Sequence, residues 1–195
     1  NFTTGEHTGT HLDAPNHWVS GKDLDDVSQI PPQRLVGPAV VLDFVSHTQA
    51  DPDFLLDVTH IKEWEAKYGK LPAHGWVLFR TGWSSRGNAQ DTFLNADESG
   101  PHTPGLSIAA ANYLAHETDI LGLGVETVGT DAGQAFGFET PFPCHANLMG
   151  ANKYGLTQLR NLDKLPTTGA VVIAAPLKIE KGSGSPTRVL ALVTK

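Results

Sequence analysis

Four side chains able to bind a metal or move a proton sit at odd positions within eleven residues. They are His7, His11, Asp13 and His17, in the run His7-Thr-Gly-Thr-His11-Leu-Asp13-Ala-Pro15-Asn-His17-Trp18. Two imidazoles and one carboxylate suit Zn²⁺ or Mn²⁺ and leave coordination positions open for water and substrate. The bland alternative, a polar loop of solvated histidines, would serve for one isolated histidine; three with an aspartate favour a site. Thr8, Gly9, Thr10 and Pro15 disfavour a helix. A fully extended chain fails too, because four residues then span about 13 Å, too far for His7 and His11 to share one ion. The backbone must therefore curl. Gly9 permits that, and Pro15 stiffens the exit.

The rest of the chain must hold this curl in place. Val36–Phe44, Gly75–Thr81, Ile120–Val125, Ala170–Ala175 and Val189–Val193 read as strands, the last after a Gly/Ser-rich turn. Val58–Tyr68 reads as a helix with Ile61, Trp64 and Tyr68 on one face, Asp57 or Thr59 as cap, and Gly69 as stop. Ser107–His116 reads as a second helix with Ser107 as N-cap, and Ala146–Tyr154 as a third ending at Gly155. Alternating strands and helices predict an α/β domain. No repeat or linker divides residues 1–195, which read as one domain.

Composition excludes whole classes of function. Fourteen Lys and Arg against 21 Asp and Glu give a net charge of −7, which is wrong for a nucleic-acid binder. No apolar run approaches the ~20 residues of a membrane span. One cysteine rules out an internal disulfide and any multi-cysteine zinc site, and a reducing cytoplasm fits best. The chain starts at Asn1 and reaches the histidine motif by His7, so its N-terminus reads as incomplete; Asn1-Phe2-Thr3 matches a glycosylation sequon with no secretory signal beside it. Other motifs fail: Gly122-Leu-Gly124 lacks the third glycine of a dinucleotide fingerprint, since Thr127 stands there, and there is no phosphate loop or HExxH helix. Cys144 beside His145 is a poor nucleophile pair, because sequence neighbours rarely face each other.

The histidine segment resembles the HxGTHxDxPxH signature of the cyclase family of metal-dependent hydrolases, with His7, Gly9, Thr10, His11, Asp13, Pro15 and His17 all fitting. The resemblance continues through Arg80-Thr81-Gly82-Trp83, Gly124-Val125-Glu126, Asp131 and Ser185-Pro186-Thr187-Arg188. It implies a swivelling β/β/α domain, with a mixed β-sheet core flanked by helices. It also implies His7, His11 and Asp13 as metal ligands, His17 as acid/base, and a homo-oligomer, at least a dimer.

Within the family, the formamidase branch binds two ions, using a downstream histidine and glutamate. His145 matches that histidine, but Arg160 stands near the expected glutamate, and a cation there would repel a second metal. Gly129-Thr130-Asp131-Ala132-Gly133-Gln134 resembles instead the isatin-hydrolase branch, which implies one ion per chain, Mn²⁺ favoured and Zn²⁺ possible, with Gln134 as a further ligand. A glutamine carbonyl suits Mn²⁺, although Gln134 could equally hold its own turn.

A divalent ion lowers the pKa of bound water from ~15.7 toward ~7. The resemblance implies opening of a cyclic amide, isatin to isatinate, with His17 moving the proton. His145, Trp18 and Trp83 are the candidate substrate contacts. Trp76, Phe79, Phe136 and Phe142 are further aromatic candidates, each more simply explained by packing. A linear N-formyl amide and a lactone are the alternative substrates, and a metal-containing small-molecule binder is the non-enzymatic one.

Overall fold

In a computed structural model of the chain, residues 1 and 3–194 are described; Phe2 of the sequon lies outside them. Seven strands form the core: β1 (His11–Asp13), β2 (Val36–Asp43), β3 (Trp76–Arg80), β4 (Gly122–Val125), β5 (Tyr154–Thr157), β6 (Ala170–Pro176) and β7 (Gly184–Leu192). The helices are α1 (Val45–Ala50), α2 (Val58–Tyr68), α3 (Gln90–Leu94) and α4 (Ile108–His116). The strands close into a barrel in the order β1-β7-β6-β2-β3-β4-β5, returning to β1. β2, β3, β4 and β5 run parallel, and β6, β7 and β1 pair antiparallel. The expected mixed sheet flanked by helices is present. Its closure was not foreseen, because the short β1 that completes it carries too few residues to show alternation.

Alternation along the strands sorts the core into two layers. Ala39, Val41, Trp76, Leu78, Leu156 and Val172 join Leu12 inside the barrel. Val40, Leu42, Val77, Phe79, Leu123 and Val125 face outward against Ile61 and Trp64 of α2 and Ala110, Ala111 and Leu114 of α4. Both helices start as the sequence predicts. Asp57 caps α2, its carboxylate accepting from Thr59 N, while His60 Nδ1 accepts from Asp57 N. Ser107 caps α4 by accepting from Ala110 N at 3.1 Å. Lys153 is buried, and its ammonium donates to the Leu114 and Thr118 carbonyls, both at 2.6 Å, tying the end of α4 to the start of β5.

The third expected helix is corrected. Helix covers only residues 143–150, with a π-helical turn at His145–Met149, and the chain then reverses through Asn152, at φ 56°. Tyr154–Thr157 is already strand β5. A β-strand there places Gly155 opposite Asp13 and Thr157 opposite His11, which a helix could not do. β7 also starts earlier than expected, at Gly184, because Gly184–Pro186 pair with β1.

Candidate metal centre

The centre lies on the outer face of the barrel, at β1. Leu12 points inward, so His11 and Asp13 point outward. The curl that brings His7 to them turns at Gly9, at φ 60°. Pro15 opens a 3₁₀ turn, Pro15–His17, that folds His17 back over the site. His17 stacks on His7 with ring centroids 3.9 Å apart, and single donor atoms of His7, Asp13 and His17 lie within 4.8 Å of one another. Gly155 is required beneath them: a Cβ there would lie 2.8 Å from Asp13 Oδ2.

Hydrogen-bond partners assign the ring protons. A carbonyl only accepts, so His11 Nδ1 donates to Gly9 O at 2.7 Å. The unprotonated Nε2 of His11 then faces Asp13 Oδ1 at 3.2 Å. The Ser183 hydroxyl donates to Glu6 Oε2 at 2.8 Å, so its oxygen accepts from His7 Nε2 at 2.9 Å. This leaves the lone pair of His7 Nδ1 facing Asp13 Oδ1 at 2.8 Å. Two nitrogen lone pairs and a buried carboxylate oxygen repel one another unless positive charge sits among them. The donor set therefore fits a divalent cation.

Burial alone would raise the Asp13 pKa, but the adjoining imidazoles of His11 and His7 hold it below the usual carboxylate range. Burial opposes charge on His11, yet the carboxylate of Asp13 beside it favours a cation there and raises its pKa. His17 behaves differently: burial and the neighbouring imidazoles outweigh the pull of Asp13, and its pKa falls to about 4. It is a neutral imidazole at pH 7, able to accept a proton.

The other expected site residues divide. His145 lies 5.4 Å from His17 and 4.7 Å from Trp18, ring centroid to centroid, and Trp18 packs on Phe142 at 5.5 Å. His145 is bonded through Nδ1 to Asp131, which also accepts from the backbone N–H groups of Cys144 and His145. That fixes the proton on Nδ1. Burial resists charge on His145, but Asp131 raises its pKa.

Trp83 is not brought to the centre. It is buried, with Nε1 donating to Phe93 O at 2.8 Å and Arg86 over its ring. The amide nitrogen of Gln134 donates to Pro101 O at 2.9 Å. Arg160 donates to Gly87 O and borders a cavity of about 500 Å³ with Ser84, Phe93 and Glu126. Glu126 is buried and accepts from Thr81 N, Gly82 N and Ser84 Oγ, so it clamps the loop after β3. Cys144 is fully buried, and burial pushes its thiol pKa up, which leaves it inert. Sequence reasoning missed Glu6, Ser183 and Thr157. Ser183 was visible only as part of a Gly/Ser-rich turn.

The putative cyclase family matches residues 1–132, and the chain belongs to that family. It is 53% identical over 193 residues to an isatin hydrolase of Roseibium aggregatum, covering 98% of this chain and 73% of that protein. A crystal structure of an isatin hydrolase bound to the product analogue thioisatinate superposes with a TM-score of 0.96 at 52% identity, covering 99% of this chain and 74% of that one. A solved potential metal-dependent hydrolase with cyclase activity superposes at 0.74 with 27% identity, covering 98% of this chain and 81% of that one.

Proposed function

We propose that this chain is a metal-dependent amidohydrolase that opens the ring of isatin, or of a closely related cyclic amide, to the amino acid product. The observation that carries this reading is the convergence of His7 Nδ1 and His11 Nε2 on Asp13 Oδ1, with His17 stacked beside them. Identity to an isatin hydrolase over nearly the whole chain supports the substrate.

His7, His11 and Asp13 would hold the ion. When bound, a divalent cation there supplies acidification of water and polarisation of the amide carbonyl. His17 is placed to accept the water proton and return it to the leaving nitrogen as the C–N bond breaks and the C–O bond forms. His145 and Trp18 form the wall beside His17, where a flat aromatic substrate would stack. One ion per chain is favoured because, among the described residues, a single group of three histidine and acidic side chains gathers donor atoms, with Asp13 its one carboxylate. Nitrogen and oxygen donors without thiolate favour Mn²⁺, with Zn²⁺ also accommodated.

No helix among the described residues is long and apolar enough to cross a membrane, and the lone thiol suits a reducing cytoplasm. Exposed Leu190 and Leu192 on β7 favour self-association to at least a dimer.

Elemental analysis together with isatin turnover tests the reading. One ion per chain and ring opening, both lost in Asp13→Ala, are the expected results. Turnover of a linear N-formyl amide in preference to isatin, with two ions per chain, would replace it with a formamidase reading. Retained activity after complete metal removal would end it.

A further inference from the structure

We infer that Ser183 and Glu6 are positioning residues that fix His7 as a metal ligand, an inference that rests on the metal-centre reading above. Ser183 is 176 residues from His7 in sequence, yet its oxygen lies 2.9 Å from His7 Nε2. Its role there is directional. Glu6 Oε2 accepts from both the hydroxyl and the backbone N–H of Ser183, each at 2.8 Å. A carboxylate cannot donate, so the hydroxyl proton points to Glu6 and the serine oxygen turns a lone pair toward His7. That oxygen in turn requires the proton on Nε2. The consequence is a fixed tautomer, with Nδ1 free of hydrogen and aimed at Asp13.

The neighbouring residue shapes the same seat. A Cβ on Gly184 would lie 2.4 Å from His7 Cε1 and 2.8 Å from its Nδ1, so the ring rests directly on backbone. His11 has a different device, the Gly9 carbonyl in its own turn. The two histidine ligands are thus oriented by independent means, one local and one from the far end of the chain. Groups that hold the second nitrogen of a metal-binding imidazole typically change metal affinity by 10–100-fold when removed.

The test is Mn²⁺ affinity, measured against a competing chelator in wild type and in Ser183→Ala, Ser183→Thr, Glu6→Ala and Glu6→Gln. Long-range ¹H–¹⁵N spectra of the Zn²⁺-loaded proteins report which nitrogen of His7 carries the proton. Ser183→Ala is expected to weaken Mn²⁺ binding 10–100-fold and to lose the single His7 tautomer. Ser183→Thr keeps the hydroxyl, and Glu6→Gln keeps an acceptor, so both should stay near wild type. Should Ser183→Ala fail to fold, the contrast between Glu6→Ala, weakened, and Glu6→Gln, retained, carries the same information. Wild-type affinity and an unchanged His7 tautomer in Ser183→Ala and Glu6→Ala would overturn the positioning role while leaving the metal centre intact. A wild-type protein that binds no divalent ion would overturn both.

Discussion

Two of the histidine–aspartate clusters among the described residues are built in opposite proportion. At the barrel face one buried carboxylate, Asp13, meets two imidazoles, His7 and His11. At the hairpin Ala96–Pro101 one imidazole, His102, meets two carboxylates, Asp53 at 2.6 Å and Asp97 at 3.2 Å. A proton satisfies the second arrangement completely, since an imidazolium donates from both nitrogens. One proton satisfies only half of the first, because it settles one imidazole and leaves the other ring's lone pair against the same oxygen. Exposure separates them as well: the Asp13 side chain is 2% exposed, against 40% for Asp53 and 66% for Asp97. Residue type alone does not make a metal site. Burial and an excess of imidazole lone pairs over carboxylates do.

The largest effect that would sharpen this contrast is Asp13→Ala. Metal binding should be lost and turnover should fall by more than about 10³-fold, with the barrel still folded by circular dichroism. A collapse of melting in place of a loss of catalysis would give the centre a structural role. Next is His17→Ala, for which turnover should fall about 10²–10⁴-fold while metal content stays near that of wild type. Unchanged turnover would remove His17 from proton transfer. Gly155→Ala inserts a methyl group 2.8 Å from Asp13 Oδ2 and 3.1 Å from Thr130 Cγ2. It should cost about 1–3 kcal/mol in denaturant unfolding and weaken metal binding, though less than loss of Asp13 does.

The smallest effect belongs to the other cluster. Hydrogen bonds to Asp53 first and Asp97 second raise the His102 pKa above its ordinary value. Its contribution to stability is therefore complete below pH ~6.5 and fades as pH rises through the raised folded-state value. His102→Asn should flatten a slight decline in melting temperature over that window and leave metal content unchanged. A His102→Asn protein that loses metal would break the distinction between the two clusters.

The ligand motif was legible because it is local: four side chains in eleven residues needed only the curl at Gly9 and the turn at Pro15. The helices were legible for the same reason, with Asp57 and Ser107 standing where caps belong. What could not be read was supplied from a distance. Gly155 and Thr157 reach β1 across a strand pair, and Ser183 reaches His7 from near the opposite end of the sequence. Ala146–Tyr154 carries helix-forming residues, so local propensity hid the strand that Asp13 requires. Trp83 lies in a recognisable motif, but the backbone turns its indole N–H to Phe93 O. A motif fixes where the chain goes more firmly than where each side chain points.

The three residues of β1 are the last stave of the barrel, and they bond to β7 on one side and β5 on the other. Residues His11–Asp13 must therefore wait for Gly184–Pro186, far along the sequence, before both their edges are paired. Contacts of such long sequence separation form late in folding. Uptake of metal would then report that β7 is in place: a chain cut short before Gly184 carries every proposed ligand and still leaves one edge of β1 without its neighbour.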